Sequence, residues 1–201
     1  MEDAYKTISK TSEGEYKEKG SRFLAFAFPV SSENEIKIRL EGLRKQYYDA
    51  RHHCYAYVLG QDYGKYRAND DGEPNHSAGD PILGQIKSKA LTNTLVVVVR
   101  YFGGTKLGVS GLISAYKIAA EEALGNNKIV SIEITNAYSL NFGYESTNEI
   151  MRMVKEFNLE ISEQRYEVDC FIKVNVNLKI EGQFKSKIKL LQDLGNKILI
   201  S

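Results

Sequence analysis

The sequence predicts an α+β protein made of two successive parts, and two stretches predict it. The first is Leu95–Val99, an uninterrupted aliphatic and β-branched run of the kind that forms a strand buried on both faces. It leads into Arg100-Tyr101-Phe102-Gly103-Gly104-Thr105-Lys106-Leu107-Gly108, a glycine-rich bend, and then into Ile113, Tyr116, Ala120 and Leu124 at helical spacing. The second stretch is residues 136–201, where strand and helix patterns follow one another in β-α-β-β-α-β order. The two parts are therefore expected at residues 1–135 and 136–201.

In chain order, Thr7 to Lys17 is polar, with Glu13-Gly14 as a turn that folds it against the next segment. Phe23 to Val30 reads as a strand. Ser32 opens a capping box with Glu35, and Ile36, Leu40, Leu43 and Tyr47 mark one face of a helix. Cys54 to Leu59 reads as a further strand. Gln61 to Asp80 has no periodicity, and a loop of about 20 residues inside a compact domain is usually functional or disordered. Asp80-Pro81 is read as a cap with a first-turn proline for a helix carrying Ile82, Leu83, Ile86 and Ala90. Ser110 is the expected cap of the helix that follows the glycine bend, and Gly125 ends it.

The second part opens with a strand at Tyr138–Tyr144 and a capping box at Ser146-Thr147-Asn148-Glu149, which starts a helix with Ile150, Met153, Val154 and Phe157. Strands at 159–166 and 169–180, a helix carrying Phe184, Ile188, Leu191 and Leu194, and a last strand at 197–200 complete it. That order is the ferredoxin-like split unit, which leaves one sheet face without helices. On that face Lys173, Asn175, Asn177 and Lys179 alternate with inward apolar residues, and Ser139, Asn141 and Gly143 share the side. With no aromatic among them, an RNA-recognition-motif mode of binding is disfavoured. Lys185, Lys187 and Lys189 form a basic edge of the sort usually explained by solvation.

The formal net charge of +1 argues against a strongly basic nucleic-acid binder, so anion binding has to be local and DNA is an unlikely partner. No apolar run is long enough to span a membrane and the first residues lack a signal-peptide core, so a cytoplasmic protein without a membrane partner is expected. Cys54 and Cys170 lie far apart in apolar segments and read as two buried thiols.

Candidate chemistry gathers in two places. A helix N-terminus after the glycine bend offers unpaired N–H groups, with Lys106 in the bend and Arg100 at the strand end, so an anion is favoured there. The pattern is neither a P-loop nor a full dinucleotide fingerprint, and glycines that only permit close packing explain it equally well. The second place is Asp70-Asp71-Gly72-Glu73, whose carboxylates suit Mg²⁺, or else form a turn docked on Arg51, Arg67 or Arg100, which is the preferred reading. His52-His53-Cys54 and His76 lack zinc-ligand spacing, and no catalytic metal, nucleophile or hydrolase triad is assigned.

Read together, His52-His53-Cys54-Tyr55-Ala56-Tyr57, then Asp70-Asp71-Gly72-Glu73-Pro74 with Ala78-Gly79 and Pro81, then Arg100 to Gly108 with Gly111-Leu112 and Ala115-Tyr116, resemble the hallmark blocks of the IMPACT family in its bacterial YigZ-type form. The resemblance covers about Ser21 to Leu124, and the remainder looks like the small C-terminal domain of bacterial members. It implies a first domain like the second domain of ribosomal protein S5, and a ferredoxin-like second domain similar to the last domain of elongation factor G. It also implies a link to translation, since eukaryotic relatives regulate initiation under amino-acid stress through additional regions this chain lacks.

The function expected is therefore a binding or regulatory protein that recognises RNA, the ribosome or a translation-associated protein. The expected contact residues are Arg100, Tyr101, Gly103, Gly104, Lys106, Gly108 and Gly111 with Asp70, Asp71, Glu73 and His52. The alternative is a Mg²⁺-assisted enzyme acting on a phosphorylated or nucleotide substrate.

Overall fold

In the computed structural model, which describes residues 3–167 and 169–201, the chain is mixed α+β and divides into two compact units. Tyr5–Ile132 form the first; Glu133–Ser201, with residues 3–4, form the second. Thr135, expected to close the first part, instead starts a long strand of the second. Residues 1–2 lie outside the described residues.

The first unit runs β1 (Ala4–Ile8), β2 (Ser12–Glu18), β3 (Ser21–Pro29), α1 (Glu33–Gln46), β4 (His52–Leu59), β5 (Lys65–Asn69), α2 (Gly79–Ser88), β6 (Thr94–Tyr101), α3 (Gly108–Gly125) and β7 (Ile129–Glu133). Five strands form one antiparallel sheet in the order β2-β3-β6-β4-β5. β6 takes its centre because Leu95–Val99 is apolar on both sides, and all five residues are fully buried. Alternate residues of the strands serve opposite faces. Phe23, Ala25, Cys54, Ala56, Val96 and Val98 pack with α2 and α3, while Phe26, Phe28, Tyr55, Tyr57, Val97 and Val99 pack with α1. Each such large side chain contributes roughly 1.5–3 kcal/mol by leaving water.

Local chemistry explains where the elements differ from expectation. Glu13-Gly14 is no turn: both residues lie inside β2, and the chain reverses at Lys19-Gly20 instead. Gly14 is required because α3 crosses it so closely that a Cβ would stand 2.6 Å from the Ala123 amide nitrogen. The capping box at Ser32 forms, with its hydroxyl accepting from the Glu35 N–H. Gln61–Asp80 is not all loop, for β5 pairs with β4 across it. Neither Asp80 nor Ser110 caps its helix; α2 and α3 begin at Gly79 and Gly108 without a side-chain cap from the residue before.

The second unit runs β8 (Thr135–Gly143), a single 3₁₀ turn (Tyr144–Ser146), α4 (Thr147–Glu156), β9 (Glu160–Tyr166), β10 (Asp169–Asn177), α5 (Glu181–Asp193) and β11 (Ile198–Ile200). Its antiparallel sheet has the order β11-β8-β10-β9. Ile150, Met153, Phe184 and Ile188 of the helices meet Ile172, Val174 and Val176 on one sheet face. Ser146 does not cap α4, because the 3₁₀ turn places it inside the bend. The opposite face does carry an aromatic: Phe171, in register with Asn141 and Arg165, lies under the Arg165 guanidinium at 4.8 Å. Phe171 stands two residues before Lys173 and so extends the same alternation by one step, against the expectation of a face without aromatics.

Candidate functional site

The glycine bend and the acidic loop are neighbours, joined by a buried core rather than separated by an open groove. Arg100, the next-to-last residue of β6, sits opposite His52 of β4. Arg100 Nη1 donates to Glu73 Oε1 at 2.6 Å, and the Tyr116 hydroxyl of α3 donates to the same oxygen at 2.8 Å. The Cys54 thiol lies 3.3 Å from that hydroxyl and donates to the Asp70 carbonyl. Burial pushes both the Cys54 thiol and the Tyr116 phenol well above their ordinary range, so neither ionises near neutrality.

Each acidic side chain holds the loop itself. Asp70 Oδ1 accepts from the Ala78 and Gly79 amides and Oδ2 from His76, supplying from a distance the cap that α2 lacks. Burial works against the Asp70 charge, but the Gly79, His76 and Ala78 donors outweigh it and hold the carboxyl below its ordinary range. Asp71 accepts from the His53 amide at 2.7 Å and from Arg44 at 3.2 Å, and its carbonyl meets His52 Nδ1. Of the three arginines expected to dock the loop, only Arg100 does so; Arg44 takes the second place. Among the described residues no group of three or more His, Cys, Asp or Glu side chains is arranged to hold a metal, and the loop carboxylates are engaged by the protein's own donors, Glu73 buried and Asp70 and Asp71 half-buried.

Arg100 is therefore not presented to a visitor, being 7% exposed. Tyr101 is also engaged: its hydroxyl donates to Asp49 Oδ1 at 2.7 Å, which pushes the phenol up to about 12. Gly103 is a point of backbone contact, since a Cβ there would stand 1.8 Å from the Gly20 carbonyl carbon. Its N–H donates to Ser21 Oγ. Gly104 and Gly108 take positive φ of 87° and 73°.

What remains outward is the bend and the first turns of α3. Lys106 is exposed, and so are three apolar side chains, Phe102 at 58%, Val109 at 52% and Ile113 at 39%. Sequence reasoning placed Ile113 on the buried face and did not single out Phe102 or Val109. Tyr116, Cys54 and Arg44 were also missed as parts of the loop's support. A tyrosine on the apolar face of a helix was the available signal, because a buried phenol needs a partner.

Two comparisons decide the kinship. Residues 19–124, more than half of the chain, match the model of the Impact N-terminal domain. A Bacillus subtilis (strain 168) relative, IMPACT family member YvyE, is 33% identical over 184 residues, covering 92% of this chain and 85% of its own. The chain belongs to the IMPACT family. IMPACT family member YigZ of Escherichia coli (strain K12) is similar at 30% identity over 172 residues, 85% of this chain and 84% of its own. A crystal structure of a hypothetical protein matches with a TM-score of 0.75 at 26% identity, covering 99% of this chain and 98% of that one. Matches of these lengths extend IMPACT kinship beyond the first unit. Among the described residues, no helix is long and apolar enough to cross a membrane.

Proposed function

We propose that this IMPACT protein is a regulatory binding protein linked to translation. It docks a translation-associated protein through the glycine bend and the start of α3. In this reading its first unit is the ribosomal-S5-like domain and its second the ferredoxin-like domain expected from the sequence. The observation that carries it is the contrast within one site. Glu73, Asp70, Asp71 and Arg100 are tied to one another and to backbone, while Phe102, Val109, Ile113 and Lys106 stand in solvent. Exposed aromatic and aliphatic anchors with a charge beside them are the makings of a protein interface. The metal-assisted enzyme would need the loop carboxylates turned toward a metal, and the bonds above tie them to the protein's own donors, which weighs against it.

A second reading has a specific observation behind it. Phe102 and Lys106 in one exposed bend, ahead of an uncapped helix N-terminus, also suit an RNA base stacked on the ring with its phosphate at the amides. Pull-down from lysate and ribosome co-sedimentation with wild type and a Phe102→Ala/Lys106→Ala variant test both. Capture is expected to fall in the variant. Capture that resists moderate salt supports a protein partner, and a steep loss with salt supports RNA. Equal capture by the two chains would sink the proposal.

A further inference from the structure

Arg67 has no place in the site described above, although the acidic loop was expected to use it. Asp71 takes Arg44 and Glu73 takes Arg100, and among the described residues neither an ion pair nor a side-chain hydrogen bond engages Arg67. It lies on β5, the edge strand of the five-stranded sheet, on the face that α1 covers only in part. Between α1 and β5 is a cavity of about 300 Å³, lined by Tyr55 and Tyr57 of β4, Ile36 and Leu40 of α1, and Arg67.

Ion pairs flank this open cavity. Register puts Arg67 opposite Tyr57, between the pairs Leu59–Lys65 and Tyr55–Asn69. At one end Glu33 of α1 reaches across to Lys65 at 2.7 Å and also accepts from the Tyr57 hydroxyl at 3.1 Å. At the other end Arg44 reaches across to Asp71 at 3.2 Å. Lys37 and Glu41 on the helix wall face each other at 3.9 Å. Those pairs balance their own charges, so Arg67 is the cation in excess: among the described residues it has no ion pair or hydrogen bond of its own. Its charge helps to lower the Glu33 carboxyl that Lys65 and Tyr57 already hold, and it lines the cavity together with aromatic and aliphatic side chains.

We propose that this cavity binds a small organic monocarboxylate, with its apolar body on Tyr55, Ile36 and Leu40 and its carboxylate on Arg67. The guanidinium fork matches a carboxylate in a bidentate geometry. The volume is at the small end of the range for small-molecule sites. One cation in excess calls for one negative charge. A phosphate dianion would keep an uncompensated charge beside Glu33 and Glu41, so the acid class is carboxylic. This site is independent of the bend and of the partner it recognises.

The test is a titration of the ¹⁵N-labelled full chain with benzoate, benzamide and inorganic phosphate, followed amide by amide. Saturable shifts at Ile36, Leu40, Tyr55 and Arg67 are expected with benzoate, with a dissociation constant on the order of 1 mM for one charge-assisted contact in a half-open site. Benzamide, the same body without charge, should bind about tenfold more weakly, and so should benzoate to Arg67→Gln. Arg67→Lys should recover part of the loss, since it restores charge without the fork. Equal affinity of Arg67→Gln for benzoate, shifts confined to other parts of the chain, or tighter binding of phosphate than of benzoate would each overturn the proposal.

Discussion

Replacing Arg100 by methionine tests whether the acidic loop is held by a buried charge pair. Both partners are almost fully covered, Arg100 at 8% and Glu73 at 4% side-chain exposure, and they meet at 2.6 Å. An ion pair in water contributes under about 1 kcal/mol, so exposure decides the expectation. Here the variant would leave the Glu73 carboxylate inside the protein with only the Tyr116 hydroxyl for company. Losing one member of such a pair costs about 3–5 kcal/mol, and at roughly 2–4 °C per kcal/mol for a chain of this size the melting point should drop by roughly 6–20 °C. Adding Glu73→Gln removes the orphaned charge, so the double variant should be markedly more stable than the sum of the single losses implies. Urea unfolding monitored by circular dichroism gives the free energies, and hydrogen exchange at the β6 amides isolates the first unit from the second. A loss below about 1 kcal/mol, or strict additivity of the two changes, would refute the reasoning.

Gly103→Ala drives a methyl into the Gly20 carbonyl carbon and should cost at least about 1–3 kcal/mol. Gly42→Ala, in α1 with nothing within 4 Å of the new methyl, should instead gain about 0.5–1 kcal/mol, and urea midpoints compare the two. Asp70 has a folded-state pKa below its unfolded value, so its charge stabilises the fold above the ordinary carboxylate range and loses that contribution as pH falls through the folded value. The stability gap between wild type and Asp70→Asn should accordingly be largest near neutrality and narrow in acid, as melting points across pH would show. Tyr101 should ionise near pH 12 in a phenolate absorbance titration, and Asp49→Asn should return it toward the ordinary tyrosine value of about 10. Because its phenol is favoured protonated in the fold, the Asp49 contact stabilises below that ordinary value and is lost as pH rises through about 12.

Periodicity made the strands and helices legible wherever one face of an element is uniformly apolar. Leu95–Val99 could only be a central strand, and Ile172, Val174 and Val176 could only point inward. The errors fall where conformation is set by partners far away in sequence. Asp80 looks like the cap of α2, but Asp70 does that work from ten positions upstream through the Gly79 amide. Gly14 looks like a turn residue, and its reason lies in the approach of α3. At the site the residue types were readable and their orientation was not. Arg100 and Lys106 look alike as cations flanking a glycine bend, yet one is locked on Glu73 and the other is in water. Arg100 precedes the bend while still inside a strand, where its neighbours are the carboxylate of a distant loop and a tyrosine of the next helix, and no local pattern records that.

The pairing of β1 with β7 has a consequence for engineering and for synthesis. Residues 5–132 leave and rejoin the chain through two strands lying side by side, and residues 3–4 group with Glu133–Ser201. The first unit is thus an insert with adjacent ends, suited to being grafted into a surface turn of a host protein. During translation it can fold as soon as β7 has emerged. The second unit must wait for its remaining strands while its opening residues are already made.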